Sequence, residues 1–189
     1  MRKKLMTLVL CLLSTMGFAQ TIEKDNVNSE GIRSIIGSLE NVRNTTDKIV
    51  FSVALCNFSS ENLSYYSLWI KATSRDPYKV EKGNHLLIKL ANEEVITLEA
   101  RISANASVRD VHNVNGFIYS DYSTIVDYNI DKETIEKIQS GVLKIRMEHS
   151  TGFFDKEWKK GDKMGAVIKS EYFLIEERLK EKKSFSTDF

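Results

Sequence analysis

One change of hydrophobic period constrains the fold of this chain more than any other feature. Between Ile49 and Met147 apolar side chains recur in runs at every second position, and from Met164 onward they recur at every third and fourth. A period of two sets alternate side chains on opposite faces of a strand, whereas a period near 3.6 stacks them along one face of a helix. In IVFSVALC the residues Ile49, Phe51, Val53 and Leu55 share a face. In YYSLWIKA the residues Tyr66, Leu68 and Ile70 share one face, with Tyr65, Ser67, Trp69 and Lys71 on the other. The pair HLLIKL and VITLEA, joined by Ala91-Asn92-Glu93-Glu94, predicts a β-hairpin over residues 85–101, aligning Leu86, Ile88 and Leu90 with Ile96, Leu98 and Ala100. Further strands are expected near Val114–Tyr119, over Thr124–Ile130, and through Leu143, Ile145 and Met147.

Asp131 is placed as a helix N-cap, since its carboxylate accepts from free amides of a first turn. The short helix it starts, over about residues 132–140, carries Ile135 and Ile138 inward and stops at Gly141, which tolerates the left-handed conformation that ends helices. Met164, Val167, Ile168, Tyr172, Ile175 and Leu179 form one stripe on a second helix over about residues 162–183, roughly six turns long. Between strands and helix, Phe153, Phe154 and Trp158 lie in a glycine-bearing loop among charges. The expected class is α+β: an antiparallel sheet or sandwich of about six to seven strands, with the short helix and the long C-terminal amphipathic helix packed on it. Residues 32–189 read as one domain, preceded by a polar, flexible lead-in over residues 20–31. Ile32, Ile35 and Ile36 make a short apolar run that fits strand or helix, and polar residues Asn41–Asp47 break it.

The N-terminus has the three parts of a secretory signal peptide. Met1-Arg2-Lys3-Lys4 is basic, Leu5–Leu13 is apolar, and Gly17-Phe18-Ala19 offers small residues for cleavage before Gln20. The apolar run is shorter than the roughly 20 residues that span a bilayer, so the expected mature chain has no transmembrane anchor. Cys11 follows Leu10 rather than a small residue, which argues against lipidation, and it leaves with residues 1–19. The expected location is therefore exported, periplasmic or secreted. Loss of Arg2, Lys3 and Lys4 takes Lys+Arg from 27 to 24 against 26 Asp+Glu, a formal charge of −2 over the remaining 170 residues. A near-neutral mixed surface argues against nucleic acid, whose binding needs a concentrated basic face. The charges around the C-terminal stripe are mixed too, which disfavours a basic membrane-surface helix.

Catalytic signatures are sparse. His85, His112 and His149 are widely separated and form no metal-ligand pair, so no metal or other cofactor is expected. No G-x-S-x-G elbow, phosphate loop or dinucleotide fingerprint occurs. The aspartates of Asp121–Asp131 lack the ligand spacing and central glycine of a calcium loop. Cys56 would be the one cysteine left after cleavage, with no nearby histidine to activate it, and reads as a small buried hydrophobe. Glu93, Glu94 and Glu99 are the carboxylates considered for a glycosidase pair, which would have to converge in space.

Aromatic residues are the candidate site. Tyr65 and Trp69 face away from the alternating core, and Tyr119, Tyr122 and Tyr128 follow further on. Gathered at the surface, such rings stack on a sugar or grip a partner protein; covered on both sides, they are core.

The segments KGNHLLIKLANEEVITLEA and YNIDKETIEKIQSGVLKIRME, with the charged C-terminal helix ending KKSFSTDF, resemble small exported proteins of unassigned function from Bacteroides-type bacteria. That resemblance implies a compartment and a fold, carries no functional residue, and would make the sequons at Asn44, Asn57, Asn62 and Asn105 irrelevant. The expectation is a non-catalytic exported binding or interaction protein whose partner is a macromolecule or glycan. The alternatives are a small secreted hydrolase acting on glycans or peptides, and a small-ligand carrier with a cavity between sheet and long helix.

Overall fold

The computed structural model describes residues 21–43, 48–158 and 162–187. The expected leader, its cleavage point and Cys11 lie outside the described residues. The elements run β1 (Ile22–Val27), β2 (Arg33–Gly37), β3 (Glu40–Asn41), β4 (Val50–Ser59), β5 (Ser64–Ser74), β6 (Lys79–Val80), β7 (His85–Leu90) and β8 (Val95–Glu99). They continue through β9 (Ala104–Asn105), β10 (Ser107–Val114), β11 (Phe117–Ile130), α1 (Lys132–Gln139), β12 (Val142–His149), β13 (Gly152–Glu157) and α2 (Met164–Thr187).

The strands form a curled antiparallel sheet in the order β1-β2-β4-β5-β11-β10, with β3 beside β4, a four-stranded sheet β13-β12-β7-β8, and a small β6-β9 pair. With two helices among the described residues, the protein is α+β, as the change of period predicts. Register decides which side chains share a face. In β4 and β5, Phe51 lies opposite Ala72, Val53 opposite Ile70 and Leu55 opposite Leu68, and β11 continues these rows with Thr124, Val126 and Tyr128. This is the inner face. The four-stranded sheet contributes Leu86, Ile88, Leu90, Leu98, Ile145 and Met147 to the same buried core. The predicted hairpin over residues 85–101 is present, with Leu86 opposite Leu98 and Ile88 opposite Ile96.

Both helices complete that core. Asp131 caps α1 through a 2.8 Å bond that its Oδ1 accepts from Thr134 N–H, and Ile135 and Ile138 are fully buried. Gly141, at φ 121°, ends the turn that follows. On α2, Met164, Ile168 and Ile175 are fully buried, while Tyr172 and Leu179 pack at the margin. The helix lies against β4, β2, β1 and α1. Glu176 fixes its far half, accepting from the Tyr66 hydroxyl of β5 and pairing at 2.9 Å with Lys132 of α1. No helix among the described residues is long and apolar enough to cross a membrane.

Three local expectations, two of them loops and one a strand, are corrected. Residues 22–27 are not a flexible lead-in but strand β1, paired with β2 from Ile22 opposite Gly37 to Val27 opposite Arg33. Its side chains are mostly exposed because it is an edge strand, so backbone pairing holds it where hydrophobic pattern gives no signal. The Phe153–Phe154 region is strand β13, with Phe154 opposite Met147. Val114–Tyr119 is not one strand: it spans a tight turn in which Asn115 (φ 53°) and Gly116 (φ 84°) both take positive φ. That is the two-residue turn that matches the twist of paired strands, and β10 and β11 run away from it as a long hairpin.

Candidate functional site

The second face of the large sheet carries the candidate site. Directly opposed residues point the same way, so Phe58 and Tyr65, Cys56 and Ser67, Ala54 and Trp69, and Ser52 and Lys71 lie together on it. Asp127 and Ile125 of β11 extend the rows of Trp69 and Lys71. The small residues Ser52, Ala54, Cys56 and Ser67 are buried on this face, while Phe58, Tyr65, Trp69 and Lys71 around them are partly exposed.

Phe58 and Tyr65 stack, their ring centroids 5.3 Å apart at 24°. The Arg101 guanidinium lies over the Tyr65 ring at 4.9 Å. Arg101 reaches this position because its N–H donates to the Asp127 carbonyl at 2.9 Å, which docks the segment after β8 on the edge of β11. Its side chain also approaches the Asp127 carboxylate, Nη1 to Oδ2 at 3.4 Å. The other Asp127 oxygen accepts from the Ser67 hydroxyl. Aromatic faces, a guanidinium and an anchored carboxylate therefore share one side of the sheet, offering flat apolar surface with a donor and an acceptor. Trp69 Nε1 is shielded from solvent and has no hydrogen-bond acceptor. Burial lowers the pKa of Lys71, and Arg109 adds to that.

The five aromatic candidates do not gather at one point. Tyr65 and Trp69 share the outer face, as their alternation predicts. Tyr119 is on that face but eight residues along β11 from Asp127, about 26 Å at the rise of an extended strand. There it stacks on His112 at 4.9 Å, with Arg75 over its ring at 4.5 Å. Tyr122 turns to the inner side, opposite Ser74. Tyr128 is corrected from surface candidate to core residue: it is fully buried in the row of Leu68, and its hydroxyl has no partner. Its place in the alternation with Val126 and Ile130 already carried that signal. Phe58, Arg101 and Asp127 were missed. Phe58 continues the outward alternation of Ser52, Ala54 and Cys56, whereas Arg101 becomes visible only once its segment crosses to the edge of β11.

The residues weighed for catalysis are dispersed or buried. Cys56 is fully buried, and desolvation, reinforced by Glu171, pushes its thiol far above the ordinary value. Glu93 pairs with Lys89 and Glu94 with Lys137, both as turn and helix contacts. His85 pairs with Glu148 at 2.9 Å and His112 with Asp121 at 3.0 Å, while His149 packs against Tyr78 and Phe154. Among the described residues no group of three His, Cys, Asp or Glu side chains is arranged to hold a metal ion. Where a carrier would need a cavity between sheet and helix, Met164, Ile168 and Ile175 fill the space.

No protein-family model, curated protein or solved structure matches this chain, so its functional reading rests on this geometry.

Proposed function

We propose that this is an exported, non-catalytic binding domain that holds a glycan on the outer face of its large sheet. The observation that carries the reading is the Phe58–Tyr65 stack capped by Arg101, with Trp69 and the anchored Asp127 together in a row beyond the small Cys56–Ser67 pair on the same face. Sugar rings present apolar C–H faces that pack on aromatic rings, and hydroxyls that bond to a charged donor and acceptor. Because Arg101 and Asp127 offset each other's charge, the preferred ligand is a neutral saccharide. Export follows from the leader pattern of residues 1–19. The buried, high-pKa thiol of Cys56 weighs against nucleophilic chemistry.

The test is a screen of neutral polysaccharides by titration, read through tryptophan emission, with Tyr65→Ala and Arg101→Ala alongside. The expected result is a saturable emission change lost in both variants while their thermal unfolding stays cooperative. Absence of a shift with every polysaccharide, or equal binding by both variants, refutes the reading.

A further inference from the structure

The β10–β11 hairpin extends past the end of β5, whose last residue Ser74 lies opposite Tyr122. Beyond that point two strands stand without a third, and they carry the densest group of exposed large hydrophobics among the described residues. Val111 is 65% exposed, Val114 52%, Phe117 78% and Ile118 71%. Register shows that these residues do not form one sided patch. Val114 and Phe117 are opposed on one face of the ribbon, while Ile118 points to the other face, where Val111 also lies opposite Ser120. A protein partner docked on one face would leave the other apolar face in water. An apolar medium that surrounds the apex covers both.

Polarity is graded along the ribbon axis. The first two rungs, Val114–Phe117 and Asn113–Ile118, contain no ionisable side chain, and the Asn113 side-chain Oδ1 accepts from Gly116 N–H at 3.1 Å. The third rung pairs His112 with Tyr119. Formal charges meet this third rung from below, with Arg75 over Tyr119 and Asp121 beside His112, and continue with Arg109 paired with Asp110 at 3.2 Å. Apolar apex, then aromatic and imidazole rings, then balanced charges is the order of environments from acyl chains through headgroups to water. Both strand edges are open at the apex, so their unpaired backbone groups restrict entry to the interfacial zone, where water still reaches them. The uncharged apex and balanced collar match a zwitterionic surface rather than an anionic one.

We propose that the hairpin apex, through Val114, Phe117 and Ile118, inserts into the surface of a zwitterionic lipid bilayer. This is independent of the glycan-binding face, since none of its residues belongs to that cluster.

The test uses the full chain with phosphatidylcholine vesicles. Because the apolar leader itself favours lipid, the readout is made local by difference: the emission of Phe117→Trp minus that of the parent chain, which carries Trp69 and Trp158, compared with Val95→Trp treated alike at an exposed site away from the hairpin. Expected are a blue shift at position 117, quenching by brominated acyl chains, and persistence of both at high salt, with position 95 unresponsive. Phe117→Asp with Ile118→Asp should lower vesicle partitioning at least about tenfold, since two large apolar side chains lose their burial. Both are exposed, so the fold is retained, which a thermal melt checks. Lack of quenching at 117, equal partitioning of the double variant, or apex-dependent dimerisation in light scattering without vesicle binding would overturn the proposal.

Discussion

The Glu171 carboxyl group occupies the space that a side chain on Gly37 would need: a Cβ there would fall 2.4 Å from Glu171 Cδ. The contact explains a local defect in the large sheet. Strand β2 pairs with β4 up to Ile36 opposite Cys56, and β3 resumes at Glu40 opposite Val53, with one extra residue on the β2–β3 side. The Leu55 N–H lies in the interruption, and Glu171 Oε2 accepts from it at 2.6 Å. A side chain of α2 thus completes the ladder, and Gly37 leaves it room.

Gly37→Ala should therefore destabilise the protein by about 1–3 kcal/mol through overpacking, with more if Glu171 is displaced and the Leu55 N–H is left unpaired. Gly37 has no positive φ, so the cost is steric. Denaturant unfolding of Gly37→Ala, Glu171→Ala and the double variant checks this. The two changes should be strongly non-additive, because removing Glu171 removes the clash. Additive effects would place the cost of Gly37→Ala elsewhere.

Glu171 also predicts an alkaline weakening. Burial raises its pKa from 4.5 to about 8, the Leu55 N–H opposes the rise, and Glu40 adds to it. A folded pKa above the unfolded one means that the stabilisation is complete below pH 4.5 and is lost as pH rises through about 8. The slope approaches ~1.4 kcal/mol per pH unit within that window. His149, whose pKa burial lowers, contributes with the opposite sign. The quantity to measure is thus the stability difference between wild type and Glu171→Gln from pH 5 to 9. It should move against wild type up to about pH 8 and level off above it, and a flat difference throughout would contradict the buried, protonated carboxyl.

How much of this was legible depends on whether a residue's role is local. The inner rows of β4, β5, β7 and β8 follow from alternation, because one buried face imposes a period of two. Asp131 and Gly141 bracket α1 by cap chemistry that acts within a few residues. Edge strand β1 was hidden because its stability comes from backbone pairing to β2, to which its exposed side chains contribute little. The β10–β11 turn is written plainly as Asn115-Gly116, but apolar residues on both sides of it read as one continuous strand. Glu171 falls within a stripe otherwise suited to burial, and nothing in its neighbours predicts that a distant β2–β3 irregularity will take its carboxyl. Tyr65 and Trp69 were assigned to the correct face by alternation, yet the Arg101 and Asp127 that give that face polarity arrive through long-range topology.

Asp131→Ala should cost about 1 kcal/mol by removing the bond to Thr134 N–H. Asp131→Asn should retain most of that stability, because an amide oxygen still accepts. The lost bond is at the helix start, so the effect should appear in hydrogen exchange of the first turn of α1 as well as in denaturant unfolding. Equal stability of the alanine and asparagine variants would remove the cap from the account.

Trp69 separates stability from binding on the outer face. Its Nε1 is shielded and unpaired, a desolvated donor with no return. Trp69→Phe removes that donor and keeps an aromatic ring in the row of Ala54 and Asp127, so the loss of packing volume and the relief of the orphan group oppose each other. The net change in unfolding free energy should stay within about 1 kcal/mol. Trp69→Ala removes the ring as well and should destabilise by several times more, since a large half-buried surface is lost. Saccharide binding by Trp69→Phe, read by calorimetry because the tryptophan signal is altered, should persist at reduced affinity, whereas Trp69→Ala should abolish it. Undiminished binding by Trp69→Ala would remove Trp69 from the binding surface and leave the Phe58–Tyr65 stack with Arg101 to carry it alone.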